Sequence, residues 1–265
     1  MLAIPINFEF EVAFTCLDFS LTRRLRDDYH GTFSKDERVK VTEALQVVTQ
    51  NAFRRTEDDL RNLNNMHESS LGIKRSQDPS LHNILGLLQH CKDNAVLLFA
   101  HLARSAFVAT SLIRSLKTRG ILDDALEAEI NSGIGTVAKQ FRNDLRVAQE
   151  TGRVNDFLKI YGHLRPGTYE ITSKSYRESA DFFESDGSTN ANAESLEAPR
   201  SWPKELRNSA QLLINELRLD VSAIDLESFW RSAIEGRERA KFVFTKQVSA
   251  SLDLLVEFGL RMDLP

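Results

Sequence analysis

The sequence predicts a mainly α-helical protein: a multi-helix domain with a long central buried helix, and a short strand or hairpin at the N-terminus. From about residue 36 onward, apolar residues recur at helical spacing, and capping residues, Gly or Pro stand at the breaks. The most apolar run, 95–113, still contains His101 and Arg104. Such a run is too polar for a membrane span and fits a helix in a soluble core.

At the N-terminus, the stretch "NFEFEVAF" (7–14) alternates with period two, which favours a strand. A long helix is then expected from a cap at Ser34 or Asp36 to about Met66. Residues 67–80 are polar and contain a Gly and a Pro, so they are expected to form a connection.

The middle of the chain predicts further helices. A short segment over 81–90 precedes the apolar helix 93–118, for which Gly120 is the expected C-cap. Asp123 and Asp124 are expected to start the next helix. These signals give the order of the elements before any packing is considered.

A glycine-containing motif at 132–135 is expected to interrupt or kink that helix. The helical pattern then resumes up to Gly152, and a short helix over 154–162 leads into a loop over 161–176. The last helices are expected from Pro203, at the first helical position, and from Asp225 or Ser228.

Composition divides the chain into three regions. The segment 184–201 is rich in Ser, Asn, Ala and Gly, which predicts a flexible linker. We therefore expect a helical core with its loop over 1–183, this linker, and C-terminal helices that pack on the core over 202–265.

Charge and cysteine content exclude several classes of function. The 34 basic and 38 acidic residues give a net charge of −4, so neither nucleic acid nor an anionic membrane is expected as a partner. Two cysteines, Cys16 and Cys91, are too few for a disulfide framework and too far apart for a metal-finger pair. A reducing cytoplasm fits this cysteine content best, and the N-terminus does not have the pattern of a secretory signal.

The stretch "YGHLRPGTYEITS" differs from the helical sequence around it. Gly162 and Gly167 permit backbone angles or close approaches that other residues resist, and Pro166 fixes the turn between them. Arg165 offers a donor fork suited to carboxylate or phosphate, and His163 can donate, accept or transfer a proton. From the residues alone, the favoured interpretation is a tight helix-exit turn in which Arg165 pairs with a local carboxylate and His163 bonds a backbone carbonyl.

Two helical sites are weaker candidates. His101 and Arg104 lie three residues apart, on one face of an apolar helix, so they either pair with a carboxylate or line a pocket. Arg237 and Lys241 are a like-charged i,i+4 pair within a dense charge run. Such a pair is either part of a solvated helix face or holds an anion.

Several stretches together resemble one family of enzymes. The chain resembles the helical middle module of phosphotransferases of the phosphoenolpyruvate-synthase type, and it is most similar to the glutamine kinases of capsular polysaccharide synthesis. The rifampicin phosphotransferases have a segment that resembles "YGHLRPGTYEITS" more loosely. The stretches that carry the resemblance are residues 4–19, 97–116, 131–145, 161–173 and 233–259.

The resemblance implies an acceptor-binding module without cofactors of its own. In the complete enzyme, ATP and Mg²⁺ would belong to an ATP-grasp-like module, and a small swivelling module with a phosphorylatable histidine would carry the phosphoryl group. These modules would act in cis or in trans, and L-glutamine would be the acceptor. This chain is expected to be truncated at its end and to bind the acceptor without catalysing transfer.

The resemblance also implies roles for individual residues. Arg165, with the backbone of Gly167 and Thr168, would face the incoming phosphohistidine, and His163 would orient the acceptor or exchange its proton. Lys174 and Ser175 replace the Pro-Arg pair usual in the family, which removes a bidentate donor. Further expected substrate-binding residues are Tyr169, Glu170, Ser173, His101, Arg104, Arg237 and Lys241.

Two alternatives stay open at this point. The chain could be a non-catalytic helical interaction module, with the loop as a structural turn. The same module could instead take another acceptor, such as pyruvate, a sugar or a rifamycin-like antibiotic. A small polar cavity would favour an amino acid, a wide apolar one a drug-sized ligand, and the lack of a cavity the interaction module.

Overall fold

A computed structural model describes residues 14–71, 78–179 and 201–264, without the side chains of 67–71. Within these ranges the chain forms eight helices and no strand, which confirms the mainly α-helical prediction. The predicted strand, apart from Phe14, and the predicted linker, apart from Ser201, lie outside the described residues. The helices are α1 (Leu21–Asp27), α2 (Lys35–Leu71), α3 (Leu81–Thr118), α4 (Asp124–Ser132), α5 (Val137–Thr151), α6 (Val154–Tyr161), α7 (Lys204–Glu216) and α8 (Ala223–Arg261).

Helix α3 is the predicted long apolar helix, but it is longer than expected. The expected break after residue 90 is wrong, because a π-helical turn over Cys91–Val96 joins the two predicted segments into one helix. Half of the most apolar 18-residue window of α3 is buried inside the protein. By length and composition this helix could also cross a membrane, a test that core helices of soluble proteins pass too.

Two other helices differ from the sequence-based expectation. Helical structure was expected from about residue 36, yet α1 lies before it and buries Leu21 and Leu25 completely. Helix α2 continues to Leu71, so the first part of the expected connection 67–80 is helical. Both differences reflect packing and helix propagation, which override weak local stop signals.

The capping predictions succeeded where the capping residue acts locally. The Asp123 side chain accepts a hydrogen bond from the Leu126 N–H at 2.7 Å and so caps α4. Gly120 and Gly152 end their helices with φ values of +68° and +71°, which glycine adopts without strain. Pro203 stands one position earlier than expected, at the N-cap of α7, with an extended ψ of 150°.

The chain forms two compact units, and each unit draws on three stretches of sequence. Helices α2, α3 and α8 contribute residues to both units. Unit 1 comprises residues 1–59, 101–134 and 197–234, and unit 2 comprises residues 60–100, 135–196 and 235–265.

Unit 1 contains the large hydrophobic core, to which α3, α7 and α8 contribute most of the buried side chains. The irregular segment before α1 is tied to this core through side-chain hydroxyls. Thr49 Oγ1 accepts a hydrogen bond from the Leu17 N–H at 2.9 Å, and Ser115 Oγ accepts one from the Phe19 N–H at 3.1 Å. These bonds satisfy buried backbone donors that have no helix to belong to.

A buried carboxylate anchors the start of α7 in the same unit. Glu227 is 5 % exposed, and its Oε1 accepts a hydrogen bond from the Trp202 N–H at 3.0 Å. Its Oε2 accepts bonds from Nε and Nη2 of Arg207, both at 2.8 Å. We expect Glu227→Ala to lower the free energy of unfolding by about 2 kcal/mol, because a buried donor loses its acceptor and the guanidinium loses its counter-charge.

This expectation can be checked by urea unfolding followed by circular dichroism. Glu216→Ala is a matched control, because Glu216 is exposed and its Oε2 lies 3.6 Å from Arg119 Nη2, too far for a close hydrogen bond. The control should change the stability by less than about 0.5 kcal/mol. Equal stability of the two variants would contradict the anchoring role of Glu227.

Unit 2 is organised by a cluster of aromatic rings. The Phe141 ring of α5 meets the rings of Phe157 and Tyr161 at centroid distances of 5.2 and 5.1 Å, both edge to face. Phe242 of α8 lies 5.6 Å from Tyr161. The Tyr161 hydroxyl donates to Asp144 Oδ2 at 2.8 Å, and burial raises the pKa of this phenol far above its usual value. The cluster fixes the end of α6, where the loop begins.

Candidate functional site

The loop that follows α6 lies entirely within unit 2 and is closed at its base. The Tyr176 N–H donates to the Leu164 carbonyl at 2.9 Å, and the Arg177 N–H donates to the Gly162 carbonyl at 3.2 Å. A short 3₁₀ turn, Tyr176–Glu178, follows. The closed base gives the residues between these bonds a fixed frame.

The two loop glycines are required by close approaches rather than by left-handed backbone angles. A Cβ at Gly162 would lie 2.3 Å from the Leu158 carbonyl oxygen, which is well inside contact distance. A Cβ at Gly167 would lie 2.9 Å from the Cβ of Glu170. The Gly167 N–H also donates to Ser173 Oγ at 3.0 Å. Both glycines therefore serve the tight folding of the loop on itself.

Arg165 points into unit 2 and not toward solvent. Its side chain is 3 % exposed and forms an ion pair with Asp253 of α8. Its Nε donates to Ser249 Oγ at 3.1 Å, and its Nη1 donates to the Ser173 carbonyl at 2.6 Å. A phosphoryl group would have to displace these partners to reach the guanidinium. The contacts of Arg165 therefore hold the loop against α8.

His163 is buried beside Arg165 in sequence but has different surroundings. Its ring lies 4.8 Å from the Phe242 ring, edge to face, and its Nδ1 lies 3.1 Å from the Ile160 carbonyl oxygen. Because a carbonyl only accepts, Nδ1 carries the proton and Nε2 is left as an acceptor. The Nε2 atom is buried with no hydrogen-bond partner in the described structure.

The protonation state of His163 follows from this environment. Burial, and then the positive charge of Lys246, lower the pKa of His163 from 6.5 to about 4. The backbone carbonyl groups of Phe242 and Ile160 oppose this effect in part. The ring is therefore neutral at physiological pH, which suits an acceptor better than a proton donor.

The remaining predicted loop residues separate into two groups. Tyr169 and Glu170 are exposed, and Glu170 Oε1 accepts a hydrogen bond from the Thr172 hydroxyl at 3.0 Å. Ser173 is half-buried and serves the fold of the loop through Gly167. Thr168 is half-buried and faces a pocket.

This pocket, the α5–α8 pocket, has a volume of about 450 Å³ and lies within unit 2. Three rings form much of its wall: Phe141, Tyr176 and Phe242. On α8, Glu238 and Lys241 lie three residues apart on one helix face and both line the pocket. Its other polar lining residues are Arg142, Thr168 and Thr245.

The charge run on α8 does not act as a single cluster. The Gly135 N–H donates to Glu235 Oε1 at 2.8 Å, and Arg239 Nη2 donates to Asn64 Oδ1 at 2.6 Å. Lys241 lines the α5–α8 pocket, whereas Arg237 is half-buried and is not part of the pocket wall. The structure thus brings Lys241 and Thr168 together, without Arg237.

His101 and Arg104 belong to unit 1, whereas the loop belongs to unit 2. His101 Nδ1 lies 3.4 Å from the buried Asp59 carboxylate and 2.7 Å from Arg55 Nη2. Arg104 is exposed. Of the two interpretations given by the sequence, pairing with a carboxylate or lining a pocket, the first describes His101. Arg104 does not share these surroundings.

Sequence reasoning missed two charged residues of the pocket, Arg142 and Glu238. Arg142 lies on the amphipathic helix α5 and Glu238 in the charge run of α8, and the two meet at the pocket through the packing of these helices. A helical-face comparison of Glu238, Lys241 and Thr245 could have suggested one of them. The described residues contain no group of three or more His, Cys, Asp or Glu side chains that could hold a metal ion.

The chain was also compared with known proteins. No family model, curated protein or solved structure matches it.

Proposed function

We propose that this chain binds a small polar metabolite in the α5–α8 pocket. We propose further that this metabolite is the phosphoryl acceptor of an ATP-dependent, phosphohistidine-mediated phosphotransferase, with L-glutamine as the first candidate. The observation that carries the proposal is a pocket of about 450 Å³ whose wall combines aromatic rings with charges of both signs. Clefts of this size and mixed character are typical of small-molecule sites.

The charges of the pocket match those of an amino acid zwitterion. Arg142 and Lys241 offer cationic donors for an α-carboxylate, and Glu238 offers a carboxylate for an α-ammonium group. The hydroxyls of Thr168 and Thr245 can each donate to or accept from a side-chain amide. A zwitterion with a side-chain amide carries a chemical partner for each of these groups.

The link to phosphoryl transfer comes from the resemblance of five sequence stretches to acceptor modules. Under this proposal, ATP, Mg²⁺ and the phosphorylated histidine belong to other modules, in cis or in trans. Arg165 then acts by holding the loop against α8, and Thr168 and Lys241 touch the acceptor. This division of roles differs from the expectation that Arg165 itself faces the phosphoryl group.

The aromatic wall of the pocket supports one alternative within the same class. The cavity is larger than a single amino acid needs, and its three rings suit an acceptor that carries an apolar ring system. A rifamycin-like antibiotic is such a molecule. The two ligands differ in charge, so the pocket cations distinguish them.

We expect L-glutamine to produce saturable chemical-shift changes in a ¹⁵N NMR titration, at the amides of Phe141, Thr168 and Lys241. Glutamate, pyruvate and a rifamycin serve as competitors. Lys241→Gln should weaken glutamine binding about tenfold, because a charge-assisted hydrogen bond to the carboxylate is lost.

Lys246→Gln is the matched control, because Lys246 lies on the same helix but does not line the α5–α8 pocket. It should leave glutamine binding unchanged. Tighter binding of the rifamycin, insensitive to Lys241→Gln, would replace glutamine by the larger acceptor. The lack of a saturable response to every ligand at millimolar concentration would favour the helical interaction module.

A further inference from the structure

A second, smaller pocket lies further along α8 and shares no lining residue with the α5–α8 pocket. It has a volume of about 60 Å³, room for a few waters or one tetrahedral oxyanion. We call it the His163 pocket. The residues that matter for its chemistry are Lys159, His163, Arg177, Lys246 and Asp253.

The wall of the His163 pocket carries an excess of positive charge. Its one carboxylate, Asp253, is already paired with Arg165, and Lys159 Nζ lies 2.9 Å from Asp156 Oδ1. Lys246 is half-buried, and no described residue forms an ion pair or hydrogen bond with it.

Burial, and then the nearby charge of Arg177, lower the pKa of Lys246. Within the part of the chain that the structure describes, no carboxylate pairs with this ammonium group. A bound anion would supply a counter-charge and would reduce the repulsion between the two cations.

His163 adds a requirement that selects among anions. It is 9 % exposed, and its Nε2 is a buried acceptor without a partner, because Nδ1 donates to the Ile160 carbonyl at 3.1 Å. A buried acceptor of this kind is costly unless a donor reaches it. A fully deprotonated oxyanion such as sulfate has no proton to give.

We infer that the His163 pocket binds hydrogen phosphate, with the anionic oxygens toward Lys246 and Arg177 and the P–OH group donating to His163 Nε2. Inorganic phosphate retains at least one hydroxyl at neutral pH, so one ion satisfies both the cations and the imidazole. The inference does not depend on the proposed acceptor, because the two pockets have separate walls.

The test compares inorganic phosphate with sulfate by isothermal titration calorimetry of the whole chain, at neutral pH and constant ionic strength. Phosphate should bind saturably, and sulfate at least about tenfold more weakly. Lys246→Met should weaken phosphate binding about tenfold or more, whereas Lys241→Met, in the other pocket, should leave it unchanged.

His163→Phe gives a readout that loss of structure alone would not produce. This variant should bind phosphate and sulfate with the same weak affinity, because the acceptor that distinguishes them is gone. Equal affinities for the two anions in the wild-type chain would overturn the inference, even if His163→Phe failed to fold. So would the absence of phosphate binding, or equal losses in Lys246→Met and Lys241→Met.

Discussion

Replacing Arg165 by alanine is expected to lower the free energy of unfolding by about 3 kcal/mol. The guanidinium is 3 % exposed, pairs with Asp253 and donates to Ser249 and to the Ser173 carbonyl. Alanine would leave the partly buried Asp253 carboxylate without this counter-charge and two acceptors without their donor. Lysine would not rescue the loss, because a single ammonium cannot reproduce the planar fork.

Urea unfolding at neutral pH measures this loss, and Arg104→Ala is the matched control. Arg104 is exposed on α3, so its removal should cost less than about 0.5 kcal/mol. If Arg165→Ala proved as stable as the control, the guanidinium would not be held by its partners and would be available to a ligand. That outcome would return Arg165 to the phosphoryl-facing role that the sequence suggested.

Ligand binding by Arg165→Ala separates the two roles further. If Arg165 holds the loop in place, Arg165→Ala should weaken glutamine and phosphate binding together, because both pockets depend on the loop. Leu164 and Thr168 line the α5–α8 pocket, and Gly162 and His163 line the His163 pocket. If Arg165 instead touched one of the ligands, Arg165→Ala should weaken the binding of that ligand alone.

The ends of the helices were predictable where one residue determines them through local contacts. Asp123, Gly120 and Gly152 cap or end helices through contacts within a few residues, so their roles were visible in the sequence. The π-helical turn Cys91–Val96 has no such marker. Its course depends on the burial of Cys91 and Ala95 against Phe244, about 150 residues away in sequence.

The candidate site also has features that the sequence indicated and features that depend on contacts between residues far apart in the sequence. The two glycines of "YGHLRPGTYEITS" indicated a tight loop, and the structure gives the reason in the contacts of Gly162 and Gly167. The direction of Arg165 was not predictable, because its carboxylate partner Asp253 comes 88 residues later. Arg142 enters the pocket wall only through the packing of α5, which no short motif records.

Buried His163 is expected to make the protein less stable as the pH falls. The pKa of His163 is lowered from 6.5 to about 4, first by burial and then by Lys246. Between these values the unfolded chain binds a proton that the folded chain does not, so unfolding becomes easier as the pH decreases. The cumulative loss is about 3 kcal/mol by pH 4, and below that pH both states are protonated.

The measurement is the free energy of unfolding from pH 7.5 to pH 4 for the wild-type chain and His163→Phe, in phosphate-free buffers. Carboxylates titrate in both proteins, so the difference between the two curves isolates the histidine. It should change by about 3 kcal/mol across this window. His30→Gln, which alters an exposed histidine, should follow the wild-type curve.

Lys246→Met tests the cause of the shift. Removing this positive charge eliminates one of the effects that lower the pKa of His163, whereas burial of the ring remains. The pKa of His163 in the folded chain should therefore rise. The loss of stability should then end at a higher pH and be smaller than in the wild-type chain. An unchanged window would mean that burial alone sets the pKa, and that Lys246 lies too far from the ring to share an anion with it.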